Sequence, residues 1–146
     1  MFRCCFVGRR LSKSVAALVT GKLEQLQSFL PGLATFALLD NNSQLLLYCG
    51  HEQEHPGGQH SVEERLPNIE ALRRAASSLG AALGGHSCPI VHVKGLQSLC
   101  SCFSLGEAVL VALVAASPQA VELLDLSGLE AQLAPTLLQI RELLEL

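Results

Sequence analysis

The spacing of apolar positions changes several times along the chain, and each change marks an element. Leu11, Val15, Val19, Leu23, Leu26 and Leu30 recur at helical spacing, which predicts a first helix over residues 11–30, loosened at Thr20-Gly21 and stopped by Pro31-Gly32. "ATFALL" (34–39) and "QLLLYC" (44–49) are apolar runs of strand length, and Asp40 to Ser43 between them suits a reversal, so the two read as a hairpin. Residues 51–67, "HEQEHPGGQHSVEERLP", carry no apolar period and read as a flexible surface loop, in which Ser61 and Glu64 could cap one short turn ahead of Pro67. Asn68 then caps a second helix whose Ile69, Leu72, Ala76, Leu79 and Leu83 lie on one face, ended by Gly84-Gly85.

Three strands follow: "PIVHVK" (89–94), "SLCSCFSL" (98–105) and "EAVLVALVA" (107–115), joined by short turns at Gly95 and Gly106 that make them sequential antiparallel neighbours. Residues 108–115 are apolar on both faces and belong in the middle of a covered sheet. Residues 89–94 alternate and carry Pro89, His92 and Lys94, which places them at an edge with His92 facing water. Ser127 and Glu130 form a capping-box pair ahead of Leu129, Leu133, Leu137, Ile140 and Leu144, a last helix that Pro135 should kink or restart. The order helix, two strands, helix, three strands, helix predicts an α+β fold: one antiparallel sheet with helices on its faces.

Composition narrows the function classes. With 146 residues, 49% of them apolar and 16% charged, the chain can bury a core without disulfide or metal staples. It reads as a single domain over 11–146 behind a basic extension at 1–10. A net charge of −3 and a pI near 5.9 leave no broad basic surface, which argues against nucleic acid. The longest uncharged apolar stretch, Ala108 to Val121, falls short of the roughly 20 residues that cross a bilayer. The beginning of the chain carries Arg3, Arg9, Arg10, Lys13 and Lys22 before its first acid, Glu24; that fits a basic flank on the first helix, and also a mitochondrial presequence. Cys4 and Cys5 beside basic residues are candidates for acylation, although Phe2 rules out an N-myristoyl signal. The six cysteines are neither dense nor regularly spaced, which suits a reduced compartment and small buried side chains.

Candidate chemistry is sparse. His51, His55 and His60 share a loop with Glu52 and Glu54, but Pro56-Gly57-Gly58 supplies no rigid frame for metal ligands, so a solvated loop is the better reading. Cys100 and Cys102, two apart on a strand, face the same side and read as packing residues. A nucleophilic Cys49, Cys88, Cys100 or Cys102 would need an adjacent base, for which His92 is the nearest by position. Phosphate-loop, dinucleotide, nucleophile-elbow and zincin motifs are all missing. No catalytic, cofactor-binding or metal residue is therefore assigned. The enzymatic alternative is a small thiol-dependent or metal-assisted enzyme using Cys49 or the His-rich loop. The edge strand exposes unpaired backbone groups, and Ala75, Ala76, Ala81 and Ala82 before it permit close approach of a second helix. The candidate partner interface is thus Ile69, Leu72, Ala76, Leu79, Leu83, Ile90, Val91, His92, Val93 and Lys94.

The series of elements resembles the roadblock/dynein light chain family, in its late endosomal and lysosomal scaffold branch. The resemblance runs from about residue 12 to the end: a first helix, the break "SFLPGL", the hairpin "FALLDNNSQLLLYCG", then a helix, three strands and a final helix. "SGLEAQLAPTLLQIRELLEL" (127–146) is similar in pattern to the closing helix of a Ragulator scaffold subunit, including the interior Ala134-Pro135. The resemblance implies a roadblock/longin-like fold with a five-stranded sheet, its last strand central and its third at an edge. It implies a homo- or heterodimer with another roadblock- or longin-like subunit, joined through that edge strand and the preceding helix. Such dimers serve as platforms for small GTPases or their regulators, or as dynein-associated adaptors. No catalytic residue or cofactor carries over. The implied setting is cytoplasmic, peripheral on late endosomes or lysosomes, with any membrane contact indirect or through acylated Cys4 or Cys5. The chain departs from the pattern in its basic start, its His-rich loop and a segment around "SPQAVELLDL".

Overall fold

The structure, a computed structural model, describes residues 2–51, 58–85 and 90–145, and their side chains except those of Cys5 and residues 51–63. In chain order the elements are β1 (Phe2–Val7), α1 (Lys13–Gln27), β2 (Leu33–Leu39), β3 (Leu45–His51), α2 (Gly58–Ala82), β4 (Val91–Lys94), β5 (Ser98–Leu105), β6 (Ala108–Ala115), α3 (Pro118–Glu122) and α4 (Leu126–Leu144). The six strands form one sheet in the order β1-β3-β2-β6-β5-β4, antiparallel throughout. As expected, β6 is central and β4 lies at an edge.

Alternation along the strands separates two cores. Phe36, Leu38, Leu47, Cys49, Leu99, Phe103 and Leu110 point to the side closed by α1 and α4, where Val19, Leu23, Leu133 and Ile140 meet them. Ala37, Leu39, Tyr48, Cys102, Val109 and Val111 point to the other side, where Ile69 of α2 packs. Both faces of β6 are thereby covered, which accounts for its unbroken apolar run.

Two reversals have clear local causes. Asp40 Oδ1 accepts from the backbone N–H groups of Asn42 (2.8 Å) and Gln44 (2.9 Å), and Ser43 takes a left-handed φ of 61°, so the polar run 40–43 turns the β2–β3 hairpin. The other oxygen of Asp40 pairs with Arg10 at 3.3 Å, which pins the chain between β1 and α1. Gly32 passes so close to the Ala115 carbonyl that a Cβ there would collide with it, which lets β2 start beside the end of β6.

Several expectations are corrected. Residues 2–7 are a strand of the sheet rather than part of an extension at 1–10: Phe2 and Cys4 pack on the core beneath α1 while Arg3 faces out, and β1 pairs with β3. The sheet accordingly has six strands, not five. Helix α1 is unbroken at Thr20-Gly21, where the Thr20 hydroxyl turns back to donate to the Ala16 carbonyl (2.7 Å). Much of the expected loop 51–67 is regular structure: β3 continues to His51 and α2 already begins at Gly58, so Asn68 lies inside the helix. Pro67 and Pro135 also sit inside helices, each on an exposed face where water can serve the carbonyl that loses its partner. The segment before the last helix forms α3, capped by Ser117 with Pro118 at its first position. The capping residue of α4 is Asp125, with no side-chain cap bond, so Ser127 and Glu130 do not act as a capping box.

Candidate functional site

Helix α2 has 25 residues and spans about 37 Å, whereas an eight-residue strand such as β5 spans about 27 Å. The helix is anchored near its middle. Glu70 pairs with Arg74 at 2.6 Å, and the Ser43 hydroxyl of the β2–β3 turn first, with Arg74 assisting and desolvation opposing, lowers the pKa of its carboxyl from the ordinary value. From there the apolar stripe runs out. Ile69 is 6% exposed, Leu72 and Ala76 are partly buried, Leu79 is 61% exposed and Leu83 76%. Ala75, Ala81 and Ala82 are exposed as well, so this end of the helix offers a small-residue surface with no described neighbour over it.

Strand β4 supplies the other half of the surface. It pairs only with β5 among the described strands, in the register Val91↔Cys102 to Lys94↔Leu99, so its outer edge is unpaired. Ile90, Val93 and Leu96 are large apolar side chains left open on and beside it. Between α2 and this end of the sheet runs a groove of about 480 Å³ whose lining includes Ile69, Leu72, Val93, Leu99, Cys100 and Leu113. Arg65 and Asn68 add polar groups on the helix side.

His92 does not face water. Its side chain is 8% exposed, its Nε2 lies 2.7 Å from Glu130 Oε1 on α4, and its Nδ1 lies 2.6 Å from Ser101 Oγ on β5. The ring also packs edge-on against Phe103. The trio contains the groups of a hydrolase triad, but Ser101 is 2% exposed in the core on the α1/α4 side, closed to any substrate. It is a polar tie, buried at His92 and Ser101 and open to water at Glu130, holding the edge strand to α4. Lys94 adds a second tie by donating to the Leu124 carbonyl at 3.2 Å. Both ties join residues far apart in sequence, and only the His92 and Glu130 residue types hinted at them.

The structure brings Ile69, Leu72 and Val93 together around the groove and sets Leu79, Leu83, Ile90 and Lys94 at open positions along the helix and edge. Val91 is half-buried and packs on the α2-side core. The suggested metal loop lies mostly outside the described residues: His55, Glu52 and Glu54 are not described, nor are the side chains of His51 and His60. Cys88 also lies outside them. Among the described residues no group of three His, Cys, Asp or Glu could hold a metal, and no helix is long and apolar enough to cross a membrane. Cys49 is a thiol buried in the core, 3.6 Å from the Thr20 hydroxyl.

No family model matches the chain and no curated protein matches its sequence. Solved structures do match its fold. An MglB with tetrameric arrangement superposes with a TM-score of 0.70 at 14% identity, covering 98% of this chain and 97% of that one. The gliding protein MglB of Thermus thermophilus gives 0.65 at 16% identity, covering 96% and 98%. A Roadblock/LC7 domain of Streptomyces avermitilis gives 0.62 at 17% identity, covering 84% and 94%. The chain has the Roadblock/LC7 fold, an antiparallel sheet flanked by helices.

Proposed function

We propose that this chain is a non-enzymatic scaffold subunit that pairs with a second roadblock-type chain through α2 and β4. The single observation that supports this best is the outward run of the α2 stripe, from a buried Ile69 to Leu79 and Leu83 at 61% and 76% exposure, beside an unpaired strand edge. A second α2 and a second edge strand would bury the first and satisfy the second. The interface residues are Ile69, Leu72, Ala76, Leu79, Leu83, Ile90, Val91, His92, Val93 and Lys94. His92 and Lys94 act there by holding the edge in place from behind.

The paired unit then forms part of a complex that recruits or regulates small GTPases in trafficking or signalling. The fold and the sequence resemblance support this, and the endosomal or lysosomal setting rests on the resemblance alone, since the named solved neighbours with stated sources are bacterial. Sedimentation of the purified chain across a wide concentration range, together with affinity purification from cells, tests the proposal. Self-association, or recovery of a roadblock- or longin-like subunit, is expected. A chain that stays monomeric and recovers no such subunit overturns it.

A further inference from the structure

Cys4 on β1 and Cys49 on β3 are register partners, so their Cα atoms stand opposite each other across the antiparallel pair. Opposed residues of such a pair lie about 4.5 or 5.5 Å apart between Cα atoms, and both values fall inside the roughly 4.4–6.8 Å that a disulfide spans. The two side chains also share a face: Cys49 belongs to the core closed by α1 and α4, and Cys4 packs against that core. Both are thiols in this structure. The Cys4 thiol donates to the Phe6 carbonyl at 3.2 Å, and the Cys49 sulfur lies 3.6 Å from the Thr20 hydroxyl on α1. Access to them differs, since Cys4 is half-buried and Cys49 is 0% exposed.

We propose that Cys4 and Cys49 form a reversible redox latch, closed by a small disulfide of the glutathione class, that fastens the edge strand β1 to β3. The unequal access sets the order of steps. The Cys4 thiolate attacks one sulfur of the small disulfide, whose S–S bond breaks and whose other half leaves as a thiolate. The Cys49 thiolate then attacks the Cys4 sulfur of that mixed disulfide, a new S–S bond forms, and the second small thiolate leaves. Two protein thiols are oxidised, one small disulfide is reduced, and the two protein S–H protons end on the two small thiols. Each cysteine turns to another staggered position as this happens, exchanging its contact with Phe6 or Thr20 for the bond across the strands.

Strand β1 is the part of the fold such a latch can govern. It pairs with β3 alone among the described strands, and its register slips between Cys4 and Phe6, directly after the proposed bond. The closed bond holds β1 beside that irregularity and restrains the chain through α1 and β2. Where thiols are kept reduced it forms transiently, as sensing disulfides do. Strands β1 and β4 lie at opposite ends of the sheet, so the latch does not depend on the pairing proposed above.

Oxidised glutathione is the probe. The full chain is equilibrated anaerobically at rising ratios of oxidised to reduced glutathione, quenched in acid and mapped by mass spectrometry. Wild type and Cys5→Ser should lose the mass of two hydrogens and yield a peptide cross-linked between Cys4 and Cys49. Cys49→Ala should stop with glutathione on Cys4, and Cys4→Ser should gain neither a bond nor glutathione at Cys49. Closing the bond should raise the melting temperature of the wild type by about 5–15 °C, and dithiothreitol should reverse the rise. Circular dichroism verifies folding, and if the buried Cys49→Ala does not fold, the comparison of Cys4→Ser with Cys5→Ser decides. No bond at the highest ratio, glutathione left on wild-type Cys4 without closure, a bond to Cys49 that survives in Cys4→Ser, or closure without a rise in melting temperature would overturn the latch.

Discussion

The two faces of the sheet are finished to different degrees. On the side of α1 and α4, Val19, Leu23, Leu133 and Ile140 are at most 1% exposed, and the helices cover the sheet completely enough to bury the His92 ring and the Ser101 hydroxyl beneath a half-exposed Glu130. On the side of α2 the helix outruns the strands, its stripe ends in open leucines, and the adjoining edge has no described neighbour. The contrast fits the proposed division of work: the first face holds the fold together, and the second is the one we propose a partner completes.

That contrast can be broken at either face. Leu79→Asp with Leu83→Asp should leave the isolated fold within about 0.5 kcal/mol of wild type, since both side chains are already exposed. Pairing, in contrast, should weaken by roughly 3–6 kcal/mol, a factor of ~100 or more, from two leucines no longer buried, measured by analytical ultracentrifugation or titration with the captured subunit. Ile140→Ala should do the reverse, destabilising the fold by about 2–5 kcal/mol in urea while leaving the pairing surface intact. His92→Ala lies between the two faces. It strands the buried Ser101 hydroxyl, should cost about 1–3 kcal/mol, and should speed amide exchange in β4 before other strands. Arg74→Ala removes a water-screened pair with Glu70 and should leave the thermal melting curve nearly where it is in the wild type.

How far the sequence revealed this depends on whether a signal was local. The β2–β3 hairpin, the edge position of β4 and the central position of β6 follow from short-range alternation, and the structure has them. Strand β1 was hidden because Arg3 within it and Arg9 and Arg10 just after it read as a basic flank, and among its described side chains only Phe2 and Cys4 pack on the core. The start of α2 at Gly58 was hidden because residues 58–66 lack a clear apolar period and Pro67 usually ends a helix. For His92, the partner Glu130 is 38 residues away, and no pattern within a strand predicts which helix will reach it. The open leucines of α2 were more legible, because they belong to the same stripe that identified the helix.

The lysines give the most direct test of the central claim. Lys94 lies on the proposed pairing edge, while Lys13 and Lys22 lie on α1, which packs over the β1-β3-β2 end of the sheet, away from that edge. Amine-reactive cross-linking of the assembled complex, read by mass spectrometry, should join Lys94 to the partner, or to Lys94 of a second copy if the pair is homodimeric. Cross-links to the partner through Lys13 or Lys22, with none from Lys94, would contradict the account.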